Sequence, residues 1–225
     1  MHYIYVASLS DCICNISNDI FDVVSRSSRE YIYRKKQIKD RYRTVIAEVL
    51  LKMIFIDKLN LCKTYFYRTK RGVLFSRNCE NHFFSISHSE NYIIVIVSVF
   101  EVGIDIQYMN SNMLKIAKRF FYPGEIDYIY EFEKEIKNRF YEIWTKKESY
   151  YKYIGHKLYK SILEIDTTCD KMNFNKNIVK EYKTIIFKND YMLTVCSSEV
   201  INNLEDEICF IKSFEINEFI KKIRK

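Results

Sequence analysis

Two distant segments of this chain have the same sequence pattern. Residues 89–98 read Ser-Glu-Asn-Tyr-Ile-Ile-Val-Ile-Val-Ser, and residues 188–197 read Lys-Asn-Asp-Tyr-Met-Leu-Thr-Val-Cys-Ser. Each segment has a polar turn, a tyrosine, an apolar run typical of a strand and a closing serine. The repeat predicts an α+β fold of two pseudo-symmetric subdomains, 1–102 and 103–225, each a small antiparallel sheet with packed helices. We expect the functional site at the interface of the two subdomains.

The remaining periodicities supply the elements of this fold. In the first half they predict a strand at 2–7, a basic-faced helix at 27–56, and strands at 83–87 and 92–100 joined by a hairpin turn at 88–91. In the second half they predict a helix at 113–121, a break at Pro123-Gly124, a helix from 125 or 136 to 154 capped by Gly155, and strands at 162–165, 184–187 and 191–197.

Composition narrows the class of protein. The longest apolar stretch, 92–100, is about half of the ~20 residues that span a bilayer. The seven cysteines include no C-x-x-C pair, which argues against a zinc site or a disulfide framework. We therefore expect a soluble, cytoplasmic, monomeric protein without a membrane partner. The formal charge of +7 suits an anionic partner or substrate of any class.

One predicted helix face and one predicted strand carry the chemistry. Trp144, Glu148 and Lys152 recur at i, i+4 and i+8, which places a carboxylate and an ammonium beside an apolar anchor. Asp105, two residues after Gly103, adds a second carboxylate at the end of an apolar run. Two acids from separate elements suit a hard divalent cation and predict a metal-assisted phosphate site. The alternatives are a salt bridge from Asp105 to a Lys or Arg, and an ordinary surface pair of Glu148 with Lys152.

Three motifs together resemble a known family. Ser87-His88-Ser89, Gly103-Ile104-Asp105 and Trp144-x-x-Lys147-Glu148-x-x-x-Lys152, in this order and spacing, are similar to the 4'-phosphopantetheinyl transferases of the surfactin-synthetase type. The resemblance runs from about residue 29 to residue 158. It implies Mg²⁺-dependent transfer of the phosphopantetheine arm of coenzyme A to a serine of an apo acyl, peptidyl or polyketide carrier protein, releasing adenosine 3',5'-bisphosphate.

The resemblance also assigns roles. It implies that the first subdomain contacts the nucleotide and that the second holds the metal and catalytic residues. Asp105 and Glu148 would bind Mg²⁺, with Gln107 as a neutral third ligand, and Glu148 would be the base for the carrier serine. Lys152 would pair with the pyrophosphate, assisted by Lys147. The implied coenzyme A contacts are Arg43, Ser87, His88, Ser89 and Lys152.

Two departures from the family pattern keep alternatives open. Gln107 stands where the family often has a third acid, and Gly72-Val73-Leu74 replaces the family's Gly-Lys-Pro. A catalytically degenerate coenzyme A binder is therefore one alternative. A basic nucleic-acid-binding module, using the cations of 26–43, is another. No recognised nucleic-acid motif supports that module, so we expect no nucleic-acid partner.

Overall fold

The structure is a computed structural model that describes residues 2–62, 64–79, 81–110, 120–155, 166–168, 171–174 and 178–224. These residues form two compact units: 1–82 with 90–99 and 207–225, and 83–89 with 100–206. The predicted strand at 162–165 and all but the last two residues of the predicted helix at 113–121 lie outside the described residues. The α+β class is confirmed, while the functional roles of subdomains 1–102 and 103–225 stay predictions.

The first unit contains a sheet centred on the amino-terminal strand. Strand β1 (His2–Ser8) pairs antiparallel with β5 (Tyr92–Ser98) and parallel with β10 (Ile208–Phe210). A separate antiparallel pair consists of β2 (Tyr65–Arg68) and β3 (Leu74–Arg77). The predicted strands at 2–7 and 92–100 are therefore present, and β5 is buried almost throughout.

Four α-helices pack in the described part of the first unit. They are α1 (Leu9–Asn15), α2 (Arg26–Tyr33), α3 (Ile38–Met53) and α7 (Ser213–Ile223). Two of them, α1 and α3, lie against the strands of this sheet. Most of α3 is buried, including Val45, Ile46, Val49 and Leu50. An isolated helix of this length is marginally stable in water. The burial of apolar side chains against the rest of the unit is therefore what mainly stabilises α3.

The single helix predicted at 27–56 is wrong. The chain breaks between α2 and α3, and a π-helical turn (Ile54–Lys58) follows α3. The break covers Arg34, Lys35, Lys36 and Gln37, which offer no apolar side chain to bury. The Arg41 guanidinium satisfies the freed backbone there by donating to the Lys35 carbonyl at 2.8 Å.

The second unit contains an antiparallel sheet in the order β6, β9, β8, β7. Its strands are β6 (Val102–Tyr108), β9 (Tyr191–Ser197), β8 (Ile178–Phe187) and β7 (Lys171–Phe174). Strand β4 (Phe83–Ser89) belongs to the same unit. The predicted turn at 88–91 is too wide, because His88 and Ser89 are strand residues and only Glu90 and Asn91 remain between β4 and β5.

Two longer helices and one short one lie in the described part of the second unit. Helix α4 (Pro123–Tyr130) begins with a proline in its first turn, so the predicted break at Pro123-Gly124 is wrong, because both residues belong to the start of α4. Helix α5 (Ile136–Tyr153) matches the later of the two predicted starts. Gly155 follows α5 at φ 59°, the left-handed conformation expected of a helix cap. A short helix, α6 (Leu204–Glu207), precedes β10.

Within the ranges that the structure describes, every helix is too short or too polar to cross a bilayer. The six described cysteines are all reduced.

Candidate active site

Strand β4 is joined to β6 by side chains. Three alternate serines of β4 present their hydroxyl oxygens to alternate backbone N–H groups of β6. The pairs are Ile104 N to Ser85 Oγ at 3.1 Å, Ile106 N to Ser87 Oγ at 3.2 Å and Tyr108 N to Ser89 Oγ at 2.9 Å. We call these three side chains the serine ladder. A strand has a side-chain period of two, so all three serines lie on one face of β4.

Asp105 lies between the serine ladder and α5. Its side chain is buried, and its Oδ1 atom accepts hydrogen bonds from Ser87 Oγ and Lys152 Nζ, both at 2.7 Å. Lys152 Nζ also donates to the Ile104 carbonyl at 3.0 Å. The other carboxylate oxygen, Oδ2, is buried and has no hydrogen-bond partner among the described residues. The predicted salt bridge of Asp105 is thus present, with Lys152 as its partner.

Glu148 brings a second carboxylate to the same place. Burial raises the pKa of Glu148, the nearby charge of Asp105 raises it further, and Lys152 opposes the shift. The structure therefore brings Asp105, Glu148 and Lys152 together, as the spacing of Glu148 and Lys152 on one helix face predicts.

Gly103 allows α5 to approach β6 closely. A methyl carbon added at Gly103 would lie 1.9 Å from the Ser149 carbonyl oxygen and 2.5 Å from the Tyr153 amide nitrogen. Both of these atoms belong to the backbone of α5, so only a glycine fits at this position. The close approach lets Lys152 reach a carboxylate that stands two residues further along β6.

The cluster has the donors that a hard cation requires. Asp105 offers a buried oxygen without a partner, Glu148 offers a second carboxylate, and the half-buried Gln107 offers an amide oxygen 3.4 Å from Ser89 Oγ. No group of three acids, histidines or cysteines suited to a metal occurs in the described part of the chain, which is consistent with a glutamine at 107. A Mg²⁺ ion held by these residues would have two charged ligands and one neutral ligand.

Lys147 forms an ion pair with a residue outside the cluster of Asp105, Glu148 and Lys152. Its ammonium is buried 2.8 Å from a carboxylate oxygen of Glu125, which is also buried. Glu125 also accepts hydrogen bonds from Tyr122 N and from both the backbone and hydroxyl of Thr167. Burial lowers the pKa of Lys147, and the Glu125 charge opposes the shift. The spacing of the Trp144 motif gave no sign of this pair, because Glu125 is remote from it in sequence.

A small cavity opens beside Glu148. It encloses about 140 Å³ and is lined by Phe120, Phe121, Trp144, Lys147 and Glu148. Phe140 stacks on Trp144 with a centroid separation of 6.2 Å, which holds the indole in place. The lining is mainly aromatic and would accept an apolar group next to the carboxylate.

The predicted coenzyme A contacts fall in both units, and each is described within its own. In the first unit, Arg43 is held by Asp40 at 2.9 Å and by the Glu90 carbonyl at 2.8 Å. Its Nε atom is buried without a hydrogen-bond partner in the described ranges. In the second unit, His88 is exposed on β4 and Ser87 is buried. The roles of these residues stay predictions.

Comparisons with known proteins agree with the motifs. Residues 101–198 match a model of the 4'-phosphopantetheinyl transferase superfamily, and this range contains Asp105, Gln107, Glu148 and Lys152. The 4'-phosphopantetheinyl transferase gsp of Aneurinibacillus migulanus is 28% identical over 223 residues, which are 93% of this chain and 86% of that protein.

Two relatives from Bacillus subtilis are each 30% identical. The transferase ffp matches 60% of this chain and 62% of its own length, and the transferase Sfp of strain 168 matches 59% and 60%. The matched range holds the acidic cluster that the fold assembles on β6 and α5, and one relative aligns over nearly the whole chain. The similarity to 4'-phosphopantetheinyl transferases therefore covers residues 101–198 in the superfamily model and 93% of the chain in the gsp transferase.

Proposed function

We propose that this protein transfers the 4'-phosphopantetheine group of coenzyme A to a serine of an apo carrier protein, releasing adenosine 3',5'-bisphosphate. The observation that carries the proposal is the cluster of Asp105, Glu148 and Lys152 within the range that matches the family. The relatives are named 4'-phosphopantetheinyl transferases, which supports the same reaction here.

Glu148 is the proposed general base. Its carboxylate would take the proton of the carrier serine hydroxyl, whose oxygen then attacks the pyrophosphate phosphorus that bears the pantetheine arm. The bond from this phosphorus to the bridging oxygen breaks, and the electron pair leaves with the adenosine bisphosphate. The raised pKa of Glu148 suits this role, because a base works best when its pKa is near the working pH.

Lys152 is the proposed phosphate-binding cation. Its ammonium can donate three hydrogen bonds, of which Asp105 and the Ile104 carbonyl take two. Lys152 Nζ makes no third hydrogen bond to a described residue, so its third proton would be available for a pyrophosphate oxygen. Asp105 would thus orient Lys152 as well as supply a metal ligand.

Asp105, Glu148 and Gln107 would hold the Mg²⁺ that the family implies. When bound, this ion would neutralise the charge that develops on the departing 5'-phosphate of adenosine 3',5'-bisphosphate. Arg43, His88 and Ser89 remain the proposed contacts of coenzyme A. Because Lys147 pairs with Glu125, we assign Lys147 a supporting rather than a direct part.

The partners follow from the reaction. We propose a carrier protein that is acidic around its target serine, since a chain of charge +7 would be attracted to it at low salt. We also propose that the protein is a monomer and that it acts in the cytoplasm.

Intact carrier mass tests the proposal. The full chain is incubated with coenzyme A, Mg²⁺ and a panel of apo carriers, beside Asp105→Ala and Glu148→Ala variants. Asp127→Ala, which removes an exposed carboxylate of α4, is the control. We expect one added phosphopantetheine with wild type and control, and none with the two site variants.

The alternatives give different results. Coenzyme A binding without any modified carrier would favour a degenerate binder. A chain that binds no coenzyme A, but binds nucleic acid with a steep salt dependence and without Mg²⁺, would favour the basic module.

A further inference from the structure

We infer that Ser87 is a positioning residue for Asp105. Its hydroxyl holds Oδ1 so that Oδ2 is the oxygen offered to a divalent cation. The inference rests on the proposed function and gives Ser87 a task different from lining a nucleotide pocket.

The two oxygens of Asp105 have unequal surroundings. Oδ1 accepts from Ser87 Oγ and from Lys152 Nζ, both at 2.7 Å, and these two donors use its two lone pairs. Oδ2 is buried and accepts from no described residue. A buried anionic oxygen without a partner is costly unless a cation or a donor meets it. The Asp105 carboxylate is therefore fixed through Oδ1, while Oδ2 stays available to a cation.

Ser87 is itself held by the backbone of the residue that follows Asp105. Its oxygen accepts the Ile106 N–H at 3.2 Å, and its residue is buried. A serine hydroxyl has one proton, and the contact with Asp105 uses it. Ser87 therefore has no proton left for a phosphate of coenzyme A. Its geometry suits a residue that acts through Asp105.

The serine ladder contains its own control. Ser85 accepts the Ile104 N–H at 3.1 Å, nearly the same as the backbone contact of Ser87, and both serines are buried. In the ranges described, Ser85 makes no hydrogen bond to a carboxylate. Alanine at either position removes the hydroxyl oxygen that accepts one backbone N–H of β6. Only Ser87→Ala also removes a hydroxyl that donates to Asp105.

The test is the affinity for Mn²⁺, measured on the full chain by the electron paramagnetic resonance signal of free Mn²⁺. Groups that orient a metal ligand typically contribute 10- to 100-fold to metal affinity. We expect Ser87→Ala to weaken Mn²⁺ binding by about tenfold or more, and Ser85→Ala to stay within about twofold of wild type. Ser87→Ala should lose more stability in thermal unfolding than Ser85→Ala, because it also loses the hydrogen bond to Asp105, so Mn²⁺ binding is measured at a temperature at which both variants are folded.

The outcomes separate this inference from the proposed function. If wild type binds Mn²⁺, Asp105→Ala does not, and the two serine variants bind alike, the role of Ser87 is refuted while the metal site stands. If wild type and Asp105→Ala both fail to bind Mn²⁺, the metal site fails and the inference fails with it. A Ser87→Ala variant that binds Mn²⁺ as tightly as wild type also overturns the inference.

Discussion

Replacing Gly103 by alanine should separate α5 from β6 and disable the site. The new methyl carbon would lie 1.9 Å from the Ser149 carbonyl oxygen, whereas real Cβ atoms essentially never come within 3.0 Å of another heavy atom. The helix must therefore withdraw by about 1.1 Å. If α5 moves as a rigid body away from β6, the 2.7 Å contact of Lys152 with Asp105 lengthens to about 3.8 Å, beyond hydrogen-bond range.

Gly103→Ala should lower both the stability of the protein and its reaction rate. Overpacking of a buried contact typically costs about 1–3 kcal/mol of unfolding free energy. A misplacement of about 1 Å in a catalytic arrangement can lower the rate about 100-fold. We expect Gly103→Ala to lower the free energy of unfolding by about 1–3 kcal/mol, measured by urea unfolding. We also expect it to lower the rate of carrier modification about 100-fold.

Gly124→Ala is the matched control. A methyl carbon at Gly124 would find its nearest neighbour at 3.8 Å, an ordinary van der Waals distance. Both substitutions reduce the freedom of the unfolded chain in the same way. Gly124→Ala should thus keep the wild-type rate and equal or exceed its stability. The reasoning is refuted if Gly103→Ala keeps the wild-type rate and stability, or if the two variants are impaired equally.

Three further substitutions test single contacts. Because burial raises the pKa of Glu148 above its ordinary 4.5, the folded state favours the protonated form, and this stabilisation is lost as pH rises through the folded pKa. Glu148→Gln should therefore unfold at a higher temperature than wild type at pH 8, with the gap closing near pH 4; a lower temperature at pH 8 would contradict this. Gln107→Glu adds a charged ligand and should lower, several-fold, the Mg²⁺ concentration needed for half-maximal rate; an unchanged requirement would remove Gln107 from the metal site. Glu125→Gln removes the charge that lies 2.8 Å from the buried Lys147 ammonium and should cost about 3–5 kcal/mol in urea unfolding, so a loss below about 1 kcal/mol would show that the pair is not structural.

Local patterns predicted much of the site. Glu148 and Lys152 share a face of α5 because their spacing is helical, and Gly155 ends that helix as its conformational freedom indicates. Asp105 could be identified because a carboxylate at the end of an apolar strand needs a partner. These inferences depend on neighbours in sequence, which the chain itself specifies.

Contacts between distant elements could not be predicted in the same way. The hydrogen bond from Ser87 to Asp105 requires β4 to lie beside β6, and the pair of Lys147 with Glu125 requires α4 to pack on α5. The sequence pattern does not predict the helix break at 34–37, because the segments on both sides of it are helical. The break is visible only in the structure, where α2 and α3 are separate helices that each bury a face of their own.

The intact mass of an apo carrier, after incubation with this protein, coenzyme A and Mg²⁺, tests the central claim most directly. The account predicts that the carrier gains one phosphopantetheine with wild type and none when Glu148 is replaced by alanine. A carrier modified equally by wild type and by Glu148→Ala would contradict the assignment of the reaction to the cluster of Asp105, Glu148 and Lys152.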